Sequence, residues 1–461
     1  MNARADTRHD EFAWKVQPEA ASLVQRQLTQ LATDSPAVVK LASRLLNETG
    51  TRLVDWIDHL VIPASAANGS MDLAAAGFES DEADVTTGQV AWRHSGGMFP
   101  AIVVDDGAST SPTPRRLAIK VDSVDDFVTA QRLGDAHIAG EAGGQFRAVV
   151  FADEGDVELM AVERHGYRGF APVENSSQQI SAAAEHQTIF ESRQREFDNR
   201  SDGFQQAREL IAAAIDDLGV DWTCDLFCAT ERHYWQAKNR AGQVQKARQD
   251  ALGIGWGNHD HHTYRSSRIH FRELIATLEL LGFDCRERFY AGEEAGWGAQ
   301  VLEQPTCGIA IFADVDLTPE ELADDFAHEP LAAEEQLGTI GLWCTLHGEA
   351  FLEAGLHHLE CQFDFNAVRE QLASEGIETM APFTDMPYLK QAFTVGETWP
   401  VQPRHLQQAL AEGSIDADQA DQFRAAGAIG SHLEVLERND GFKGFNQTGI
   451  SQIIRKTDPR A

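Results

Sequence analysis

The chain predicts an α+β protein built from tandem βαβββ modules, with curved mixed sheets around a metal cavity and helical lead-in segments. Three observations carry this. Helical apolar spacing leads twice into a strand bearing Asp-His, first at Asp58-His59 and again at Asp260-His261. Each such strand is followed by a helix closed by Gly-Phe, at Gly77-Phe78 and Gly282-Phe283, and then by further strand-like runs. The rhythm recurs from Gly355 through Leu356-His357-His358-Leu359-Glu360-Cys361 and a helix over Phe365 to Glu375, closing at Gly376-Ile377. Repetition of this kind indicates duplicated modules.

In chain order, Leu23, Leu28, Leu31, Val38, Leu41, Leu45 and Leu46 are spaced as one helical face between Pro18 and Gly50. Leu53 to Ile62 reads as a strand. The apolar runs Ala101 to Val104, Leu117 to Val121, Phe146 to Phe151 and Val157 to Val162 follow as strands, with turns expected at Gly107 to Pro114 and Gly140 to Gly144. Residues 171–202 are rich in Ser, Gln, Asn and Glu, which makes them the candidate boundary between an N-terminal module at 1–180 and a C-terminal metal-binding domain at 181–461. Beyond it, Phe204, Ala207, Leu210, Ile211 and Ile215 open a second helical lead-in to Asp260-His261.

The 461 residues carry a formal net charge of −34, spread along the chain, so nucleic acid and anionic membranes are excluded as partners by like-charge repulsion. Arginines dominate the cations, with eight lysines, a bias expected in a saline cytoplasm. No run of about 18 apolar residues occurs and the amino terminus is polar, so a cytoplasmic protein is expected. Six scattered cysteines, including a Cys224-x3-Cys228 pair, predict reduced structural thiols.

Chemistry concentrates at Asp260-His261-His262-Thr263-Tyr264-Arg265. Alternation along a strand turns His261, Thr263 and Arg265 to one face and His262 and Tyr264 to the other. That pairs an imidazole, a good transition-metal ligand, with a guanidinium able to grip a carboxylate through two bonds. In a protein this acidic, an anionic substrate needs such a local cation, which singles out Arg265 and, beside it, Arg268. His358 is the second candidate imidazole. Two imidazoles and a carboxylate on one face of an octahedral ion leave room for a bidentate substrate and dioxygen. Glu303, Glu360, Glu397, Glu434 and Glu437 all lie near strand-like segments, and periodicity does not choose among them.

These segments resemble the 2-oxoadipate dioxygenase/decarboxylase family of the vicinal oxygen chelate superfamily. The likeness covers roughly residues 205 to 455. It rests on Asp260 to Ser267, on Gly308 to Leu322, on Leu356-His357-His358-Leu359, on Tyr388 to Thr394, on Ser431 to Arg438 and on Asp440-Gly441-Phe442-Lys443-Gly444-Phe445-Asn446, in the family's order. The resemblance implies Fe(II) held by His261, His358 and Glu434, with Arg265 as the catalytic residue holding a substrate carboxylate and Gln391 and Thr394 near the substrate. It further implies conversion of a small 2-oxo acid, such as 2-oxoadipate, with dioxygen to a 2-hydroxy acid, such as 2-hydroxyglutarate, and carbon dioxide, as in lysine catabolism. Tyr264, His357 and Glu360-Cys361-Gln362 depart from the family pattern and bear on the substrate rather than on the metal.

The first half, roughly 1–180, offers no match to a second histidine, so it is expected to be a duplicated module without metal, with His59 in a structural role. His165 reads as an exposed loop residue with no partner. His262 and His357 fall on the opposite strand face from the ligands and are expected to be core or supporting groups. His259 and His347 would replace a ligand if the register slipped, and Glu397 is the rival acid to Glu434. Trp297, Trp343 and Trp399 are candidate pocket walls, and Gly253-Ile254-Gly255-Trp256-Gly257 reads as a turn. Two other classes stay open: a metal-dependent lyase or isomerase of the same superfamily, and a non-catalytic ligand-binding protein.

Overall fold

The computed structural model describes residues 14–64, 70–81, 89–105, 114–293, 295–333, 336–446 and 458–460. The leading apolar face folds as α1 (Pro18–Asp34) and α2 (Pro36–Arg44). Proline 36 and the Ser35 hydroxyl, which accepts from the Val38 N–H, start the second helix afresh and split the run in two. The expected strand from Leu53 begins instead at Ile57. Asp55 accepts both the Arg52 backbone N–H at 2.9 Å and its guanidinium, and so winds Leu53–Trp56 into a short turn of helix.

Then come β1 (Ile57–Pro63), α3 (Ser70–Ala75), β2 (Glu79–Asp81), β3 (Gln89–Arg93) and β4 (Ala101–Asp105). A second unit repeats the order with β5 (Arg115–Lys120), α4 (Val124–Gln131), β6 (Ile138–Ala139), β7 (Phe146–Asp153) and β8 (Val157–Arg164). The turn expected at Gly107 to Pro114 lies, but for its last residue, outside the described residues. Strand order in this sheet is β2-β3-β4-β1-β5-β8-β7-β6. Within each unit the first and last strands pair in parallel, and the two units join through antiparallel β1 and β5.

Four helices follow: α5 (Ser177–Ser192), α6 (Arg200–Leu218), α7 (Val220–Gln236) and α8 (Arg240–Asp250). The polar stretch read as a boundary holds α5, started by a capping box between Ser176 and Gln179 worth about 1 kcal/mol, and buries Ala183, His186 and Phe190.

The second sheet repeats the first. Its modules are β9 (His259–Arg265), α9 (Phe271–Leu280), β10 (Asp284–Tyr290), β11 (Trp297–Gln304) and β12 (Ile309–Asp316), followed, after α10 (Thr339–His347), by β13 (His358–Gln362), α11 (Phe365–Ser374), β14 (Thr384–Met386), β15 (Leu389–Phe393), β16 (Glu397–Trp399), α12 (Pro403–Ala411), α13 (Ala417–Ala426) and β17 (Ala428–Arg438). The order β10-β11-β12-β9-β13-β17-β15-β14 matches the first sheet position for position, with β16 added beside β17. Gly77 and Gly282 end equivalent helices at φ of 87° and 84°, conformations that favour glycine, and each drops a buried phenylalanine, Phe78 or Phe283, into its own core.

All six cysteines are free thiols, four of them buried. No described helix is long and apolar enough to cross a membrane.

Candidate metal centre

Strand register builds the site. On the three central strands of the second sheet His261 (β9) lies opposite Glu360 (β13), and Glu360 lies beside Glu434 (β17), so three donors form one row across the sheet. Directly paired residues have Cβ atoms about 5 Å apart, close enough for such side chains to meet. His358 shares the face of Glu360, two residues earlier. His358 Nε2 is 2.5 Å from Glu360 Oε1 and 3.7 Å from Glu434 Oε2, while His261 Nε2 is 3.0 Å from Glu360 Oε1. All four side chains are buried.

Each donor is held from behind. His261 Nδ1 meets Asp260 Oδ1 at 2.8 Å, which leaves Nε2 as the free ligand atom. Asp260 in turn receives Arg438 through two bonds, at 2.9 and 3.1 Å, and the Gln362 amide at 3.0 Å. Burial opposes the Asp260 charge, yet Arg438 and His261 outweigh it and hold the carboxyl far below its ordinary range. Gln391 Nε2 donates to Glu434 Oε1 at 2.8 Å, and the Thr263 hydroxyl donates to Glu360 Oε1 at 3.0 Å. The His357 and His358 Nδ1 atoms are 2.6 Å apart.

The electrostatics fit a bound cation. Burial pushes the Glu434 carboxyl up to about 8, and burial together with Glu434 drives Glu360 well above its ordinary value. Burial pulls His261 and His358 down. Two carboxylates and two imidazoles enclosed together are each forced toward neutrality by the lack of a counter-charge, and a divalent cation supplies one. Glu360 Oε2 is buried and receives no hydrogen bond from a described donor.

Arg265 lies further along the same face of β9. It is buried, with Nε and Nη1 without a hydrogen-bond partner among the described residues and its guanidinium 5.6 Å from the Trp343 ring. Burial, opposed by Asp314, lowers it to about 10, and burial raises Asp314 to about 7 against the pull of Arg265. Its charge reaches His357, His358 and His432. Phe312, Phe445 and Phe393 close the space around the imidazoles, with centroids 4.9 and 5.0 Å from His261 and 5.1 Å from His358.

Other expected residues divide. Gln391 touches Glu434, whereas the Thr394 hydroxyl accepts the Leu433 N–H at 3.0 Å. Arg268 is committed to Glu321 and to the carbonyls of Ala332 and Asp316 and is no free anion clamp. Glu397 sits on β16 against the Arg240 N–H, His347 bonds the Ile429 carbonyl and His259 the Trp256 carbonyl, so none of the three joins the cluster. Trp343 does wall the space near Arg265, while Trp297 packs on Phe289. The donor not singled out from sequence is Glu360, although its two-residue spacing from His358 was the available signal.

The first sheet keeps half of this arrangement. His59 Nδ1 meets Asp58 at 2.6 Å, and Asp58 binds Arg164 at 2.7 and 2.8 Å, as Asp260 binds Arg438. Register places Arg116 where the second sheet has His358, Ala118 where it has Glu360, and Met160 where it has Glu434. Arg116 is ion-paired to Glu158 at 2.6 Å. His165 is not the partnerless loop residue expected: Asp225 on α7, 60 positions away, and Glu163 bind its two nitrogens at 2.8 and 3.0 Å.

No family model matches the chain, and no curated protein matches it. Among solved structures it is similar to methylmalonyl-CoA epimerase from Mycobacterium tuberculosis (13% identity over 40% of this chain and 88% of that one, TM-score 0.23). A putative glyoxalase superfamily protein from Ralstonia eutropha JMP134 is 12% identical over 59% and 99%, with TM-score 0.34. A mutant 4-hydroxymandelate synthase from Streptomyces coelicolor is 14% identical over 87% and 97%, with TM-score 0.27.

Proposed function

We propose that the chain is a metal-dependent enzyme of the vicinal oxygen chelate superfamily, and within it an Fe(II) dioxygenase and decarboxylase of a small 2-oxo acid related to 2-oxoadipate. The observation that supports this is the gathering of His261, Glu360 and Glu434, with ligand atoms within 4.8 Å of one another and His358 against both carboxylates, on the buried strand face along which Arg265 also lies. Bound iron would supply Lewis acidity and a place for dioxygen. The protein's own part is orientation and enclosure. Asp260 and Gln391 aim two of the ligands, the three phenylalanines exclude water, and Arg265 fixes a substrate carboxylate in an otherwise acidic molecule.

In this reading residues 181–461 form the catalytic domain and residues 1–180 a duplicated module that has lost its metal, Arg116 and Met160 having taken the positions of His358 and Glu434.

Glu360 favours a second reading. With four protein donors only two octahedral positions stay open, enough for a chelating substrate without dioxygen, which is the requirement of a metal-dependent isomerase or lyase. Anaerobic Fe(II) loading followed by oxygen uptake and carbon dioxide release across a panel of 2-oxo acids separates the two. The dioxygenase reading expects matched uptake and release for at least one acid, and no uptake for any acid overturns it.

A further inference from the structure

Two groups of three metal-type donors, each with its ligand atoms within 4.8 Å of one another, occur among the described residues. One is His261, Glu360 and Glu434. The other, Glu279, Cys285 and His328, lies outside the centre described above and comes from three separate parts of the fold. Glu279 stands in the last turn of α9, Cys285 is the second residue of β10, and His328 belongs to the stretch between β12 and α10. Strand β10 is an edge of the second sheet, with β11 and β12 between it and β9. Counted from the shared Gly-Phe, the first half carries Ala74 and Ser80 where the second carries Glu279 and Cys285, so the fold itself does not require these donors.

The geometry around His328 repeats that of His261. Its Nδ1 is 2.9 Å from both Asp325 oxygens and its Nε2 is 3.0 Å from Glu279 Oε1, as His261 has Asp260 behind it and Glu360 before it. A carboxylate on Nδ1 fixes the ring and leaves Nε2 for a metal. His165 also lies between two acids, but it joins neither group of three. Burial disfavours the His328 charge, yet Glu279 and Asp325 outweigh it and raise the group, even with Arg288 standing 3.8 Å from Asp325. The field that stabilises a proton on this imidazole stabilises a metal cation in the same place. Imidazole, thiolate and carboxylate together are a zinc donor set. Bonds of about 2.0 to 2.3 Å in a tetrahedron put ligand atoms roughly 3.3 to 3.8 Å apart, a short closing movement for side chains already this near. Glu321, which takes the Arg268 guanidinium, and Phe326, stacked on Phe271 of α9, fix where the His328 stretch stands. Cys285 is exposed, whereas four of the other cysteines are buried, so a metal can reach it.

We propose that Glu279, Cys285 and His328 form a second metal site, of zinc type, with three protein ligands and one open position. A metal there fastens the stretch between β12 and α10 to α9 and to the edge strand. Co2+ serves as the probe, titrated into the reduced full chain. Its bond to a thiolate gives a sulfur-to-metal absorption band that the histidine and glutamate donors of the first centre cannot produce. The expected result is that band in wild type, at about one equivalent per chain and bleached by Zn2+. Cys285→Ser abolishes it, and Glu279→Gln and His328→Gln each weaken the Co2+ binding it reports about tenfold or more. None of these three side chains is buried, so the variants are expected to fold. His261→Ala and Glu434→Gln keep the band. The proposal is overturned if wild type shows no band, which leaves His328 as an ion-paired surface residue. It is equally overturned if the band survives Cys285→Ser, if Glu279→Gln or His328→Gln binds Co2+ as wild type does, or if folded His261→Ala or Glu434→Gln protein loses the band.

Discussion

Glu360 stands directly across the β9–β13 pair from His261, its Oε1 3.0 Å from His261 Nε2 and 2.5 Å from His358 Nε2. It therefore touches both imidazoles while its own pKa is driven well up by burial and by Glu434. Removing its charge should have opposite effects with and without metal. Glu360→Gln is expected to raise the melting temperature of the metal-free protein and to lower metal affinity about tenfold, because an uncompensated buried charge costs stability until a cation arrives. Thermal unfolding with and without chelator reads both signs, and a fall in both states would contradict this.

Asp260 and Asp58 make the same bonds in the two halves, and only the first backs a complete donor set. Asp260→Asn should weaken metal binding about 10 to 100-fold by freeing His261, and strand Arg438 without its counter-charge at a cost of about 3 kcal/mol or more. Asp58→Asn should destabilise comparably through Arg164 and leave metal affinity unchanged. Equal loss of metal in both variants would refute the asymmetry between the halves.

Arg265 carries two buried N–H groups without hydrogen-bond partners among the described residues. Replacement by Met should raise KM for a dicarboxylic 2-oxo acid about 100-fold, and leave Asp314, which the guanidinium holds down against burial, to take up a proton. Arg265→Lys should not restore binding, because a single ammonium cannot reproduce the paired contact. Unchanged KM in the Met variant would remove Arg265 from substrate binding.

His165 links the first sheet to α7. Burial disfavours its charge, but Asp225 and Glu163 outweigh burial and raise it to about 10. A raised imidazole stabilises the fold fully below its ordinary value of 6.5 and loses that contribution as pH climbs toward about 10. Urea unfolding across that window should show stability declining by on the order of a few kcal/mol, and His165→Gln should flatten the slope. An equally steep decline in the variant would assign it elsewhere.

Strands β1 and β9 are legible because each combines β-branched or aromatic residues with Asp-His, whereas β13 and β17 are legible through the resemblance of Leu356–Leu359 and Ser431–Arg438 to the family's strands. The short strands β2 and β6 are not: Glu79–Asp81 is polar and Ile138–Ala139 spans two residues, so neither leaves a periodic trace. Local rules missed the turn at Leu53–Trp56, where the Arg52–Asp55 contact overrides apolar propensity. Of the two partners of His165, Glu163 lies two residues away and Asp225 lies 60 away, and the second is beyond any local pattern in the chain. Glu360 was within reach, since it follows His358 on the same strand face, but choosing it over Glu303, Glu397 or Glu437 required the pairing of β13 with both β9 and β17.

The central claim is that His261, His358 and Glu434 hold one metal ion. Its most direct test is the iron content, after anaerobic loading and desalting, of wild type beside His261→Ala, His358→Ala and Glu434→Gln, with circular dichroism confirming that each is folded. The account predicts one iron per wild-type chain and a loss of most of it in every variant. Iron-free wild type, or folded variants that retain iron as wild type does, would contradict it.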